Sequence, residues 1–279
     1  MEYPFADLDL ARRLERTESL SNAGFVEARQ KAFPDVGAAW IDVAGTYAMF
    51  DGANSPVTQT FGLGMFEPLT PENLDQLETF FLKRGADVFH EVCPLADPST
   101  FALLSERRYN PIEFSNVLYR PITTNLRLDA PHKGKVQVRL TGPDEVDLWA
   151  QTAFAGWSEF TEVADFLRDL GQVTARSKSL AFLAELEGQP IAAGALSLNG
   201  DVALLAGAST IPSARRQGAQ LALLEARLRY AAQQGCTVAM MVTQPGSGSQ
   251  RNSERHGFRI AYTRTKWQLQ RGNNQDAGI

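Results

Sequence analysis

Apolar and polar residues alternate along the first half of the chain with two different periods. Apolar positions three or four residues apart indicate amphipathic helices, and positions two apart indicate half-buried strands. Thr70 and Pro71 mark one helix start, because threonine is a common N-cap and proline suits the first helical position. The pattern predicts helices over 6–19, 22–32, 71–84 and 99–107, and strands over 40–43, 46–50, 57–65, 88–92 and 114–120.

A polar segment without periodicity, 121–135, separates this half from the second. We therefore predict an N-terminal domain over 1–125, a linker over 126–134 and a C-terminal domain over 135–272. The second half contains predicted helices over 143–154, 162–170, 216–234 and 249–255, and predicted strands over 136–140, 180–186, 190–198, 202–208, 237–243 and 261–269.

The two halves share one order of elements, which suggests an internal repeat. The segments that start at Gln76 and at Leu223 both continue as a helix, a glycine, a strand and a proline-bearing loop. Each is followed by a short helix, an aromatic residue and a final strand. Any two α/β units share some of these features, but the shared order is long. We interpret it as two copies of one fold.

The stretch from Leu204 to Leu224 carries the strongest chemical signal. An apolar run predicts a buried strand, Pro212 ends it, and leucines at helical spacing follow Arg216. The intervening turn contains two arginines and Gly218. The first N–H groups of a helix have no partner within it, and they lie at the positive end of its dipole. The turn therefore suits a bound anion, although an ordinary strand-to-helix turn is the alternative.

The residues Thr210-x-Pro212-x-x-Arg215-x-x-Gly218-x-Gln220 resemble the acetyl-CoA loop of the GNAT superfamily of N-acetyltransferases. Gln220 departs from the family pattern, which has a small residue there. The resemblance implies that backbone amides of 216–221 hold the cofactor's pyrophosphate. The cofactor-binding residues it implies are Ala208, Ser209, Thr210, Arg215, Arg216, Gln217, Gly218, Ala219, Gln220 and Asn252.

The resemblance also implies the fold class. It is α/β (α+β), with two GNAT-like domains, each a mixed, mostly antiparallel sheet flanked by helices. The tandem arrangement is similar to that of mycothiol synthase-like proteins. In the first copy, the segment parallel to the loop is 67–72, with the sequence EPLTPE. Its prolines remove donors and its glutamates add negative charge, so we expect this copy to be degenerate and not to bind CoA.

The catalytic side chains are less clear. GNAT enzymes usually carry a tyrosine four residues before a Gly-Phe pair, where it can protonate the leaving thiolate. Here Gly257-Phe258 is preceded at that spacing by Ser253, a poor general acid. Tyr262 is a nearby hydroxyl, and packing is its alternative role. Glu159 is the candidate catalytic carboxylate on the acceptor side. Glu162 and Glu185 lie in regions that face the same side, and each of the three carboxylates could simply be solvated.

Composition limits the other possibilities. Hydrophobic residues at 44% and charged residues at 21% describe a globular chain. A net charge of −5 argues against a general nucleic-acid-binding protein, and three dispersed histidines give no zinc-like spacing. Cys93 and Cys236 do not form a disulfide framework, and no signal peptide or membrane span is predicted. We expect a cytoplasmic monomer or homodimer.

Two functions follow from these observations. The first is an N-acetyltransferase that moves an acetyl group from acetyl-CoA to the amine of a small molecule. The second is a catalytically idle CoA-binding module that serves as a sensor or interaction protein, and Ser253 favours it. A third idea, transfer of aminoacyl groups from tRNA, is weakened by the acidic charge balance.

Overall fold

A computed structural model of the protein describes residues 2–122, 135–159 and 164–270. The linker predicted over 126–134 and the candidate Glu162 lie outside the described residues. The elements of the first half are α1 (Leu8–Ala32), β1 (Ala39–Val43), β2 (Thr46–Phe50), β3 (Gln59–Phe61), α2 (Pro71–Leu82), β4 (Phe89–Val92), α3 (Pro98–Glu106) and β5 (Tyr109–Pro121). Those of the second half are β6 (Val136–Leu140), α4 (Val146–Gly156), α5 (Ala164–Arg176), β7 (Leu180–Leu186), β8 (Gln189–Asn199), β9 (Val202–Thr210), α6 (Ala219–Gln233), β10 (Val238–Thr243), α7 (Gly248–Arg255) and β11 (Arg259–Leu269).

Several elements differ from the sequence prediction. Helix α5 runs past the predicted end at 170 to Arg176, and β5 begins at Tyr109, five residues before the predicted strand start at 114. The helices predicted over 6–19 and 22–32 form one helix, α1, because its polar side chains bond back onto the helix instead of breaking it. Ser19 Oγ donates to the carbonyl of Glu15, and the side chain of Asn22 donates to that of Glu18. The strand predicted over 57–65 is shortened to β3, because Gly62 and Gly64 follow with positive φ angles of 76° and 67°.

All of the strands described form one sheet of 11 strands. Their order across it is β1-β2-β3-β4-β11-β5-β10-β9-β8-β7-β6. The pairs β3–β4 and β9–β10 are parallel, and the other neighbouring pairs are antiparallel. The predicted fold class, a mixed and mostly antiparallel sheet flanked by helices, is confirmed.

The closing strands of the two halves are exchanged. The final strand of the second half, β11, lies between β4 and β5 of the first half. In turn β5 lies between β10 and β11. Each half therefore completes its sheet with a strand from the other half. The two exchanged strands, β5 and β11, pair along their length: Arg259 lies opposite Tyr119 at one end, and Leu269 lies opposite Tyr109 at the other.

The two largest cores also cross between the halves. One packs α1 and α2 against the sheet and extends to Val202 and Met240 of the second half. The other packs α6 against the sheet and includes Leu118 of β5. Burial of apolar side chains from both halves in common cores couples their stability.

Candidate functional site

The sheet opens between β9 and β10. These parallel strands pair over only three residues each: Val202–Leu204 of β9 pairs with Val238–Met240 of β10. Beyond that point β9 stays with β8 while β10 stays with β5. The β8–β9 register also shifts between Ala193 and Ala195, so two residues of β9, at 207–208, oppose one residue of β8. Such a bulge interrupts the ladder and leaves backbone groups available to another partner.

Helix α6 begins at this opening without a side-chain cap. Its N-cap is Gly218, which has a φ of 84°. Glycine has no side chain that could accept a hydrogen bond from the first helix amides, so the helix start is uncapped. Arg216 also adopts a left-handed conformation, with a φ of 66°, and it is exposed together with Arg215. The N-terminus of α6 thus presents unpaired N–H donors, the positive end of a dipole and two guanidinium groups.

A cavity of about 450 Å³ lies in front of this helix N-terminus. Nine of the ten predicted cofactor-binding residues line it, and Gln217 does not. The lining residues are Gly156, Trp157, Ala208, Ser209, Thr210, Ala214, Arg215, Arg216, Gly218, Ala219, Gln220, Leu221 and Asn252. The structure therefore brings the end of β9, the loop before α6 and Asn252 of α7 to one place.

A second cavity of about 230 Å³ adjoins the first and reaches into the opening of the sheet. The two cavities share Trp157, Ala208, Gln220 and Asn252. The second is lined in addition by Arg227 from α6 and by residues of β9, β10 and α7. Together they form a path from the helix N-terminus to the β9 bulge.

Comparison with protein families identifies the second half. Residues 144–258 match the acetyltransferase (GNAT) family. The matched stretch, which is under half of the chain, resembles a GNAT acetyltransferase domain. This match spans the opened sheet, both cavities and the loop before α6, and members of the family use acetyl-CoA. A comparison with curated proteins found no match.

Solved structures resemble nearly the whole chain. The GCN5-related N-acetyltransferase of Kribbella flavida has 20% identity, with 91% of this chain and 98% of that chain covered, and a TM-score of 0.58. The GCN5-related N-acetyltransferase of Sphaerobacter thermophilus has 14% identity, 92% and 93% coverage, and a TM-score of 0.55. A tandem GNAT protein from the clavulanic acid biosynthesis pathway has 12% identity, 82% and 79% coverage, and a TM-score of 0.56. At these identities the similarity establishes the fold.

The corresponding helix of the first half, α2, differs at its N-terminus. Thr70 Oγ1 accepts a hydrogen bond from the backbone N–H of Asn73 at 3.2 Å, and Pro71 removes a further donor. Glu72 adds a carboxylate in the first turn, and its pKa is lowered by hydrogen bonds to its own backbone N–H and to Thr70. In α2, therefore, one backbone N–H is capped by Thr70, one is missing at Pro71, and the carboxylate of Glu72 would repel an anion. The N-terminus of α6 has none of these features.

Side chains around the first cavity hold its walls in place. Gln220 Nε2 donates to Thr210 Oγ1 at 2.7 Å, so the residue that departs from the family pattern joins α6 to β9 across the cavity. Gly156 lies so close to β9 that a Cβ there would overlap the side chain of Ser209. Gly156 was not predicted, because a single glycine near a helix end carries no distinctive sequence signal.

Ser253 lies at the second cavity, but its hydroxyl is already engaged. It is buried, and Oγ lies 2.7 Å from Met241 Sδ and donates to the carbonyl of Ser249 at 2.8 Å. Both contacts fix the serine within α7 and against β10. A hydroxyl held in this way, with a pKa far above neutrality, is not suited to proton donation.

The structure places Tyr262 away from both cavities, and the role suggested for its hydroxyl is withdrawn. Tyr262 lies on β11, which crosses into the sheet of the first half. Its buried hydroxyl donates to Glu15 Oε1 at 2.7 Å, and burial, the largest cause, raises its pKa well above the usual value. Tyr262 is close to Gly257 in sequence, but the exchanged strand carries it into the other core.

The remaining carboxylate candidates form ion pairs. Glu159 Oε2 lies 2.6 Å from Arg215 Nη2, at the edge of the first cavity. Glu185 is paired with Arg139 at 2.8 Å, away from both cavities. Among residues 2–122, 135–159 and 164–270 no group of histidine, cysteine and acidic side chains could hold a metal ion. Within the same ranges, no helix has the length and apolar character needed to cross a bilayer.

Proposed function

We propose that the protein transfers an acetyl group from acetyl-CoA to the amine of a small molecule. One observation carries this proposal: the uncapped N-terminus of α6 opens into a cavity of about 450 Å³ beside two exposed arginines. This donor set fits a pyrophosphate, because it combines backbone N–H groups, the helix dipole and guanidinium groups.

The GNAT domain would bind the cofactor through that loop. The backbone N–H groups of 216–221 would donate to the pyrophosphate, and the side chains of Arg215 and Arg216 would balance its charge. The arm that carries the acyl group would lie along the path into the second cavity. There the bulge of β9 leaves Gly207 and Ala208 without a strand partner among the described residues. Their backbone N–H groups are candidates to polarise the thioester carbonyl.

Few reactive side chains are needed for this chemistry. The acceptor amine must be deprotonated and held against the thioester, and the thiolate can leave without a strong general acid because a free thiol has a pKa of ~8.5. Trp157 borders both cavities and would cover the acceptor side. Positioning and carbonyl polarisation would then supply most of the rate acceleration.

The domain organisation belongs to the same proposal. Residues 1–125 would form a degenerate GNAT-like domain, 126–134 a linker and 135–272 the cofactor-binding domain. The capped and acidic start of α2 supports the absence of a second CoA site. The first half would contribute to shape and stability, through β5 and the shared cores, and not to cofactor binding.

Calorimetry with CoA tests the proposal on the full chain. We expect one site per chain and a loss of affinity of tenfold or more in Gly218→Glu. Gly235→Glu is a matched control, because Gly235 has nearly the same φ, 83°, and an added Cβ there meets no atom within 4 Å. Both variants carry equal backbone strain and charge, but only one lies at the cavity. Two sites, or equal affinities in the two variants, would contradict the proposal.

Turnover of acetyl-CoA with a panel of amines tests the catalytic part. We expect release of free thiol with at least one small amine. CoA binding without turnover of any amine would favour the second function, a catalytically idle CoA-binding module.

A further inference from the structure

Arg227 is a buried cation without a carboxylate partner in the described part of the chain. It lies on α6 with 3% exposure. Its Nη1 donates to the carbonyls of Ala195 at 3.0 Å and Ala206 at 3.2 Å, and its Nε donates to the carbonyl of Leu223 at 3.2 Å. Among the described residues, Nη2 has no hydrogen-bond partner.

Two other buried arginines of this fold are paired with carboxylates. Arg29 pairs with Asp51 at 2.9 Å, and Arg264 pairs with Glu18 at 2.7 Å. A buried guanidinium that is bonded only to neutral carbonyls retains a large desolvation penalty. Burial accordingly lowers the pKa of Arg227 to about 10.

The position of Arg227 indicates what its charge is for. It lines the second cavity together with Ala206 and Gly207, and one of the carbonyls it binds belongs to Ala206, directly before the β9 bulge. This cavity adjoins the one at the start of α6 through four shared residues. The guanidinium therefore lies beside the place where the reacting end of the cofactor would meet the acceptor.

We propose that Arg227 binds a carboxylate that one of the two reactants carries into the second cavity, an inference that rests on the proposed function. The carboxylate belongs either to the acyl group of a dicarboxylic acyl-CoA or to an acceptor amine such as an amino acid. A guanidinium matches a carboxylate in charge and geometry, and the exclusion of water at a buried site strengthens the pairing.

The alternative is that Arg227 only satisfies carbonyls released by the bulge. The two roles make different predictions for ligand preference, because a structural donor cannot distinguish ligands that differ only by a carboxylate. Arg227→Met tests this. Arg229→Met is the matched control, since Arg229 is two residues away on the same helix and its side chain is 46% exposed.

The experiment measures affinities of the full chain by calorimetry. The first arm compares CoA, propionyl-CoA and succinyl-CoA. The second, with CoA present, compares amino acids with their amides. We expect the wild-type protein to favour the carboxylated member of one pair about tenfold or more, which is the effect of one charge-assisted hydrogen bond. Arg227→Met should lose this preference and keep its affinity for CoA within about threefold, and Arg229→Met should keep both.

Each outcome is decisive. The arm that shows the preference identifies which reactant carries the carboxylate. The absence of a preference in both arms, or a preference that survives in Arg227→Met, overturns the inference while CoA binding leaves the proposed function intact. Failure of CoA itself to bind overturns both. Because the wild-type preference needs no substitution, the inference stays testable even where Arg227→Met does not fold.

Discussion

Glu159 Oε2 lies 2.6 Å from Arg215 Nη2 at the edge of the larger cavity. The carboxylate comes from the turn after α4, and the guanidinium comes from the loop before α6. The two side chains are 58% and 45% exposed, so the attraction between them is weak and screened. In the proposed function, Glu159 occupies a donor of Arg215 that a phosphate would use, and places a negative charge near that phosphate.

Glu159→Gln should therefore tighten CoA binding about two- to tenfold, and the gain should shrink as salt is added. Calorimetry at two ionic strengths checks this expectation. Glu187→Gln is the control, because Glu187 forms a similarly exposed pair with Lys135 and lines neither cavity. Unchanged CoA affinity combined with a collapse of kcat would show instead that Glu159 reacts with the acceptor.

Ser253→Ala should leave kcat within about tenfold, because a positioned general acid normally contributes ~10²–10⁴ and this hydroxyl is engaged with Met241 and Ser249. The substitution should lower stability by about 1 kcal/mol, the typical contribution of a hydrogen bond. Steady-state kinetics and denaturant unfolding measure the two effects.

The repeat provides a matched control for this variant. Ser105 occupies the corresponding place in the first half, and its Oγ donates to the carbonyl four residues earlier, as that of Ser253 does. Ser105→Ala should leave kcat unchanged. A fall in kcat beyond a hundredfold in Ser253→Ala, with CoA affinity retained and Ser105→Ala active, would mean that the serine takes part in proton transfer.

The part of the site that could be predicted is local in sequence. The end of β9, the loop and the start of α6 lie within 208–220, so strand, turn and helix signals place their donors together without knowledge of the fold. The same local signals predict a helix start at Thr70 and Pro71, and the structure confirms the N-cap at Thr70. Caps and turns depend on a few neighbouring residues, which is why these predictions succeed.

The part that could not be predicted depends on tertiary contacts. Arg227 has ordinary helical spacing in the sequence, and only the packing of α6 under the opening of the sheet makes it a cavity residue. Tyr262 is a candidate from sequence because it is close to Gly257, but the exchange of β5 and β11 places it in the first core. Strand order across a sheet leaves no periodic signal in either strand.

His90 predicts a loss of stability in acid. Its ring is buried between Thr60, at 2.8 Å from Nδ1, and Tyr109, at 3.1 Å from Nε2, and burial lowers its pKa to about 3. The unfolded chain, with a histidine pKa near 6.5, therefore binds more protons between about pH 6.5 and pH 3. Stability should fall as pH falls through this window, by a His90 contribution on the order of 5 kcal/mol.

His90→Gln removes the titrating ring and keeps groups that can bond to both hydroxyls. Denaturant unfolding at a series of pH values should give a flatter curve between pH 6.5 and pH 3 than the wild-type protein. Identical slopes in His90→Gln and the wild-type protein would mean that His90 is not neutral in the folded state.

Arg264 predicts the largest effect on stability. This fully buried guanidinium on β11 lies 2.7 Å from Glu18, 3.4 Å from Glu15 and 3.5 Å from Glu91. Arg264→Met would leave these carboxylates buried with less compensation, and breaking a buried pair from one side typically costs 3–5 kcal/mol. Arg13→Met is the control: it breaks a pair with Asp201 whose side chains are 41% and 47% exposed, so it should cost less than about 1 kcal/mol.

A double variant separates the loss of the pair from the loss of packing. Burial raises the pKa of Glu15, and the charge of Arg264 opposes that rise, so the arginine favours the charged form of the carboxylate. With the arginine removed, Glu15→Gln should recover part of the loss, because the amide still accepts from the Tyr262 hydroxyl and carries no charge to desolvate. Denaturant midpoints of the single and double variants measure this coupling. The electrostatic account fails if Arg264→Met costs no more stability than Arg13→Met. It also fails if the free-energy changes of Arg264→Met and Glu15→Gln simply add in the double variant, and packing alone then joins β11 to α1.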